Sequence, residues 1–153
     1  MVTTAEQISI QSFEIIKDRL IEAPPDVVFD ALLAEMGPES QMPGGEPMPM
    51  KVEPWPGGRW YRDLGDNAGH CWGHIQVIKP PKLLEVYGPL FMSYPVASHV
   101  QYRLVAEGSA TRLKMTHRAM GLISLEHLDN VHKGWDYKMQ RIFDLAGRMS
   151  KQG

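Results

Sequence analysis

The sequence predicts an α+β domain: one antiparallel sheet with its helices gathered on one face. Three observations predict it. A single long helical pattern occupies residues 124–149, a dense series of short strand patterns separated by Gly and Pro turns fills residues 50–120, and one short apolar helix follows the first strand. In the long pattern, Leu125, Leu128, Val131, Trp135, Met139, Ile142, Ala146 and Met149 recur at steps of three and four, which aligns them along one stripe of an α-helix. Glu126, Asp129, Lys133, Asp136, Arg141 and Asp144 fill the opposite side, and Ser124 suits the N-cap. At about 1.5 Å per residue such a helix is roughly 39 Å long, enough to cross a small domain.

Upstream, residues 1–12 are polar and read as a flexible N-terminal segment, with a single domain over residues 13–150. Residues 13–23, FEIIKDRLIEA, read as the first strand. Pro24 and Pro25 stop it and suit the start of a helix, where a missing N–H costs little. The helix at 26–35 is apolar over more than half its circumference through Val27, Val28, Phe29, Ala31, Leu32 and Leu33, so it must be largely buried. Residues 37–49 carry four prolines and three glycines and cannot be regular. A loop of that length serves either as a lid or binding edge, with Met36, Met42, Met48 and Met50 as adaptable apolar side chains, or as a surface connection whose methionines plug the core.

The remaining strands read as 50–55, 59–64, 70–79, 83–87, 96–106 and 110–120. Their punctuation is Pro56-Gly57-Gly58, the stretch from Gly65 to Gly69, Pro80-Pro81, Gly88-Pro89 and Glu107-Gly108-Ser109. In the last two strands Val100, Tyr102 and Leu104 alternate with Gln101 and Arg103, and Leu113, Met115 and His117 alternate with Arg112, Lys114 and Arg118. One face is therefore wet and the other covered.

Composition narrows the function. A chain of 153 residues with 43% hydrophobic and 22% charged residues is an ordinary globular domain. A formal net charge of −2 with no Lys/Arg cluster argues against nucleic acid as the partner. The absence of eighteen successive apolar residues argues against a membrane span, and a start that is neither basic nor apolar predicts a cytoplasmic protein. Cys71 is the only cysteine, so no disulfide forms within the chain.

Five segments in order resemble the START-like, or Bet v 1-like, superfamily (SRPBCC), and within it the homologues of the activator of heat-shock-protein ATPase. They are IEAPPDVVFDAL at 21–32, PGGRW at 56–60, GHIQVIKPPKLL at 73–84, Thr111-Arg112-Leu113 through His117, and Gly134-Trp135. The resemblance implies a helix-grip fold of about six or seven strands: a curved antiparallel sheet gripping the C-terminal helix, with an apolar cavity between them. The loop at 36–50 has no sharp counterpart in the family pattern. Members include lipid and hormone binders, polyketide cyclases and cochaperone domains, so function rests on the site.

No cofactor or metal is expected. His70 and His74 share a strand face but lie about 13 Å apart, and Cys71 points to the other face, so the three cannot share a zinc ion. His127 and His132, five apart on the helix, converge no better. There is no nucleophile elbow, phosphate loop or dinucleotide glycine pattern. The parity of His117 with Leu113 and Met115 aims it inward, either as a satisfied core histidine or as a ligand contact or general base, and Tyr102 aims at the same interior. Trp60, Tyr87, Met115, Val131, Trp135 and Met139 complete the candidate ligand walls, with ordinary core packing as the alternative for each.

The expected function is therefore non-enzymatic binding of a small apolar or aromatic ligand between sheet and helix. Two alternatives remain, a protein-interaction module acting on a chaperone ATPase and a cyclase- or hydrolase-type enzyme using His117 as base. In the helix, Leu128, Val131, Trp135 and Met139 are expected to roof the cavity, while Ile142, Ala146 and Met149 close the core. Gly134 costs about 1 kcal/mol of helix propensity and is expected at a close approach to a strand or a ligand.

Overall fold

The computed structural model describes residues 5–152, the last by its backbone alone. Its elements are β1 (Gln11–Ile21), α1 (Pro25–Met36), β2 (Lys51–Val52), β3 (Arg59–Gly65), β4 (Ala68–Lys79), β5 (Leu83–Gly88), β6 (Val96–Glu107), β7 (Ala110–Gly121) and α2 (Leu125–Gln152). The strands form one antiparallel sheet in the order β1-β7-β6-β5-β4-β3-β2, a meander that the first strand closes by pairing beside the last. Both helices pack on its inner face, giving the sheet-around-helix architecture that the resemblance implies.

Of the N-terminal segment, residues 1–4 lie outside the described residues, residues 5–10 are exposed and irregular, and β1 begins at Gln11, ahead of Phe13. The strand expected at 50–55 shrinks to Lys51–Val52 because Pro54 has no N–H to give a ladder and the Trp55 N–H turns back to the Glu53 carbonyl at 2.9 Å. β3 and β4 meet in a tighter turn than expected: Asp66 and Asn67 both adopt positive φ (52° and 63°), the geometry of a two-residue hairpin whose twist matches its strands, so β4 starts at Ala68.

The alternation in β6 and β7 translates directly into burial. Val100, Tyr102, Leu113, Met115 and His117 are buried, while Arg103, Lys114 and Arg118 face solvent. On α2 the core stripe runs through Val131, Trp135, Met139, Ile142, Leu145 and Ala146; Leu125 is 72% exposed, so the helix engages the core only after its first turns. α1 is fixed at both ends by buried hydrogen bonds. Thr111 Oγ1 donates to the Ala23 carbonyl at 2.7 Å where the chain enters the helix, and Trp60 Nε1 donates to the Met36 carbonyl at 2.8 Å where it leaves.

The Thr111 bond spans 88 residues of sequence and ties the start of α1 to the inner face of β7. Replacing Thr111 with Val keeps the shape but strips the Ala23 carbonyl of this donor, and should lower the unfolding free energy by about 1–3 kcal/mol. Urea denaturation of Thr111→Val against the native chain measures it.

Candidate functional site

Tyr102, His117 and Trp135 do converge, but inside solid packing. Trp135 crosses Tyr102 edge-on at 6.2 Å and His117 at 5.6 Å between ring centroids, and Phe13 closes on His117 from β1 at 4.9 Å. The Trp135 indole N–H donates to His117 Nδ1 at 2.9 Å, and His117 Nε2 lies 3.0 Å from Ser98 Oγ. An indole nitrogen can only donate, so Nδ1 must be the acceptor, the ring proton sits on Nε2, and that N–H donates to the serine. Both nitrogens of His117 are thus used, and neither lone pair nor proton is open to a substrate. With no exposed surface, the ring is held neutral; burial drives its pKa down from 6.5 to about 4. Burial, reinforced by the nearby Glu35 carboxylate, raises the Tyr102 phenol and keeps it neutral as well.

Trp60, Met115 and Met139 are buried in the same core. Tyr87 lies on the other face: in β5 the buried residues are Leu84 and Val86, so its parity points it outward, where it is 46% exposed and stacks on His74 at 5.7 Å. These residues do not border the open space. Of the sequence-predicted set, Val131 alone does.

That space is a cavity of about 410 Å³ at the N-terminal half of α2. Val131, Gly134 and Lys138 form its helical wall, extended toward the rim by His127, Asn130 and Tyr137. These positions follow a second row along α2, rotated from the stripe that enters the core. Opposite stand Trp72 from β4, Phe91 to Tyr94 from the segment after β5, and Gln41, Met42, Pro43 and Met48 from the loop. Three features of the sequence place these walls. Gly88, at φ 148°, lies so close to β4 that a Cβ would come within 2.5 Å of the Gly73 Cα, and the chain then turns so that the Leu90 N–H donates to the Trp72 carbonyl at 2.7 Å. The Met/Pro loop closes on itself through Met42 N–H to the Glu46 carbonyl and Met48 N–H to the Ser40 carbonyl, both 2.9 Å, and is latched to α2 by Tyr137 Oη donating to Gln41 Oε1 at 2.8 Å. Its methionines divide: Met36 and Met50 are buried in the core, Met42 and Met48 face the cavity. Gly134, expected at a close approach to strand or ligand, approaches no strand; a Cβ there would meet nothing within 4 Å, because it would project into the cavity.

The deep polar groups escaped the sequence reading. Lys138 is 8% exposed and its Nζ lies 3.1 Å from Glu35 Oε1 on α1, itself 1% exposed, and 5.5 Å from the centre of the Trp72 ring. The one available signal was Glu35, the only acid in the last turn of a helix that is apolar over most of its circumference. Trp72 was concealed differently. Register shifts at Trp60/Tyr61 and Ile75/Val77 break strict alternation, so Trp72 and Ile75 both turn inward. Trp72 stacks edge-on between Trp60 (5.1 Å) and Phe91 (5.7 Å), joining core to cavity.

Among the described residues no three His, Cys, Asp or Glu side chains are arranged to hold a metal ion, and no helix is long and apolar enough to cross a membrane.

The seven-stranded sheet gripping a long C-terminal helix is the helix-grip fold of the SRPBCC class. Solved structures with this fold include an uncharacterized protein from Rhizobium leguminosarum (TM-score 0.69, 16% identity, covering 92% of this chain and 97% of that one). CalU16 from Micromonospora echinospora is another (TM-score 0.60, 22% identity, 97% and 93% covered). The chain belongs to the family described as activator of Hsp90 ATPase homolog 1-like protein, whose model matches residues 22–147. No curated protein matches it.

His117 gives the fold a defined pH dependence. Its folded pKa lies below the unfolded value, so between pH 6.5 and about 4 the unfolded chain binds the extra proton. Stability from this group is intact above pH 6.5, falls by about 3 kcal/mol in total as pH drops toward 4, and falls no further below that. Unfolding free energies measured across this range for the native chain and His117→Phe should converge or cross as pH falls, since the variant lacks this slope while sharing the carboxylates.

Proposed function

We propose that this chain binds a small apolar or aromatic molecule in the cavity between α2, the loop of residues 37–50 and the segment after β5. The observation that carries this reading is the cavity itself: about 410 Å³ of space, walled by Trp72, Phe91, Met42, Met48 and Met92, beside a core of buried apolar side chains. The size falls within the range of small-molecule sites, and affinity would come chiefly from desolvating apolar surfaces. Three methionines give walls that adjust to ligand shape at low cost. Gly134 supports the same reading, for a mid-helix glycine sacrifices helix stability and here leaves room in the cavity instead of relieving a contact. No reaction step is part of the proposal, since His117 is sealed in the core with both nitrogens engaged.

Gly134→Leu separates binding from folding. The substitution should raise the thermal midpoint by roughly 2–4 °C through helix propensity while placing a side chain in the cavity. Titration with Nile red, a neutral apolar dye, should give saturable fluorescence enhancement with the native chain and at least about tenfold weaker binding with the variant. Equal dye binding by both proteins would refute the assignment of the site.

A further inference from the structure

We infer that the ligand of this cavity is an uncharged, largely aromatic molecule bearing one hydrogen-bond-accepting oxygen, a carbonyl or a phenol, received by Lys138 Nζ and Tyr94 Oη. The inference rests on the binding reading above and specifies its chemistry.

Two side chains on the cavity wall hold polar groups drawn away from solvent, the Tyr94 hydroxyl and the Lys138 ammonium, and both can donate. Tyr94 lines the cavity, and its Oη is buried and, among the described residues, has no hydrogen-bond partner, so a ligand atom that moves in beside it supplies a bond the protein itself does not make. The Lys138 ammonium has three N–H groups, of which Glu35 Oε1 takes one at 3.1 Å. Its place beside the face of Trp72, which also lines the cavity, puts the ammonium at the wall. Glu35 stands behind it and does not border the cavity. The wall therefore asks for an acceptor.

Charge decides which acceptor. Lys138 is the only permanently charged side chain among the described residues lining the cavity, and Glu35 already balances it. A carboxylate ligand would bring an uncompensated negative charge next to the buried Glu35 carboxylate and would give up part of its hydration for it. A neutral oxygen accepts the same N–H and O–H donors and leaves the ion pair whole. The flat partners are supplied by Trp72, Phe91 and Tyr94, which favours an aromatic body over a flexible chain.

Three naphthalenes of similar size test this by displacement of Nile red at neutral pH: 2-acetylnaphthalene with a neutral carbonyl, 2-ethylnaphthalene with no acceptor, and 2-naphthoate with a charge. The native chain should bind the ketone about tenfold tighter than the hydrocarbon, and the naphthoate more weakly than the ketone. Tyr94→Phe should reduce the ketone's advantage several-fold, and Glu35→Leu combined with Lys138→Met, which removes both charges and strands neither, should abolish most of it while leaving the hydrocarbon's affinity in place. Circular dichroism checks each fold; should the double variant not fold, Tyr94→Phe decides alone. Equal affinity for ketone and hydrocarbon in the native chain overturns the inference and leaves apolar binding standing. Tightest binding of the naphthoate overturns it in favour of an acid ligand. Failure of Nile red and all three naphthalenes to bind overturns both.

Discussion

The structure depends on how Trp135 is held. Its indole N–H donates to His117, which donates onward to Ser98, so a buried chain of hydrogen bonds runs from the middle of α2 into β7 and then β6. Apolar packing alone would let a long helix slide or roll on a sheet, because dispersion contacts are non-directional. A hydrogen bond between two fully buried groups permits one rotation and one height, since any other leaves unpaired polar atoms in a dry interior. Successive residues point about 100° apart on a helix, so once Trp135 is fixed Gly134 has no choice but to face sideways into the cavity. The pin that organises the core also orients the site.

Core and cavity are therefore neighbouring territories on one helix, divided by rows of residues. Trp135, Met139 and Ile142 fill the first; Gly134 and Lys138, with Tyr137 at the rim, border the second. Trp72 belongs to both, in contact with Trp60 on one side and Phe91 on the other. The loop of residues 37–50 makes the division possible, with Met36 and Met50 sealing the core beneath it and Met42 and Met48 exposed to the cavity.

The fold was legible because its strongest signals are local. The alternation in β6 and β7 and the three-four periodicity of α2 appear in the sequence as they appear in space, and even the turns announce themselves through Gly, Pro, Asp and Asn. The losses were also local and physical: Pro54 cut a strand short, and bulges in the pairing of β4 concealed the inward side of Trp72. The site was less legible. Parity correctly sent Tyr102 and His117 inward, yet parity cannot tell a filled interior from an empty one, which depends on volumes contributed by elements far apart in sequence. Nothing local in the sequence sets Lys138 apart from the other charges of α2, because its partner Glu35 comes from α1, 103 residues away.

One further consequence lies at the sheet's rim. β1 ends the sheet, since among the described residues it pairs only with β7, and eleven residues of extended backbone at an edge form a template on which another chain can add. The other edge, β2, is only two residues long. On β1, Glu14 holds Arg118, Lys17 holds Asp136, Asp18 holds Arg112 and Arg19 donates to Gln140. An incoming strand would have to strip water from ionised side chains on both faces at once. The same charged side chains thus discourage edge-to-edge aggregation, and they allow a helix-gripping sheet to keep one long side open to solvent.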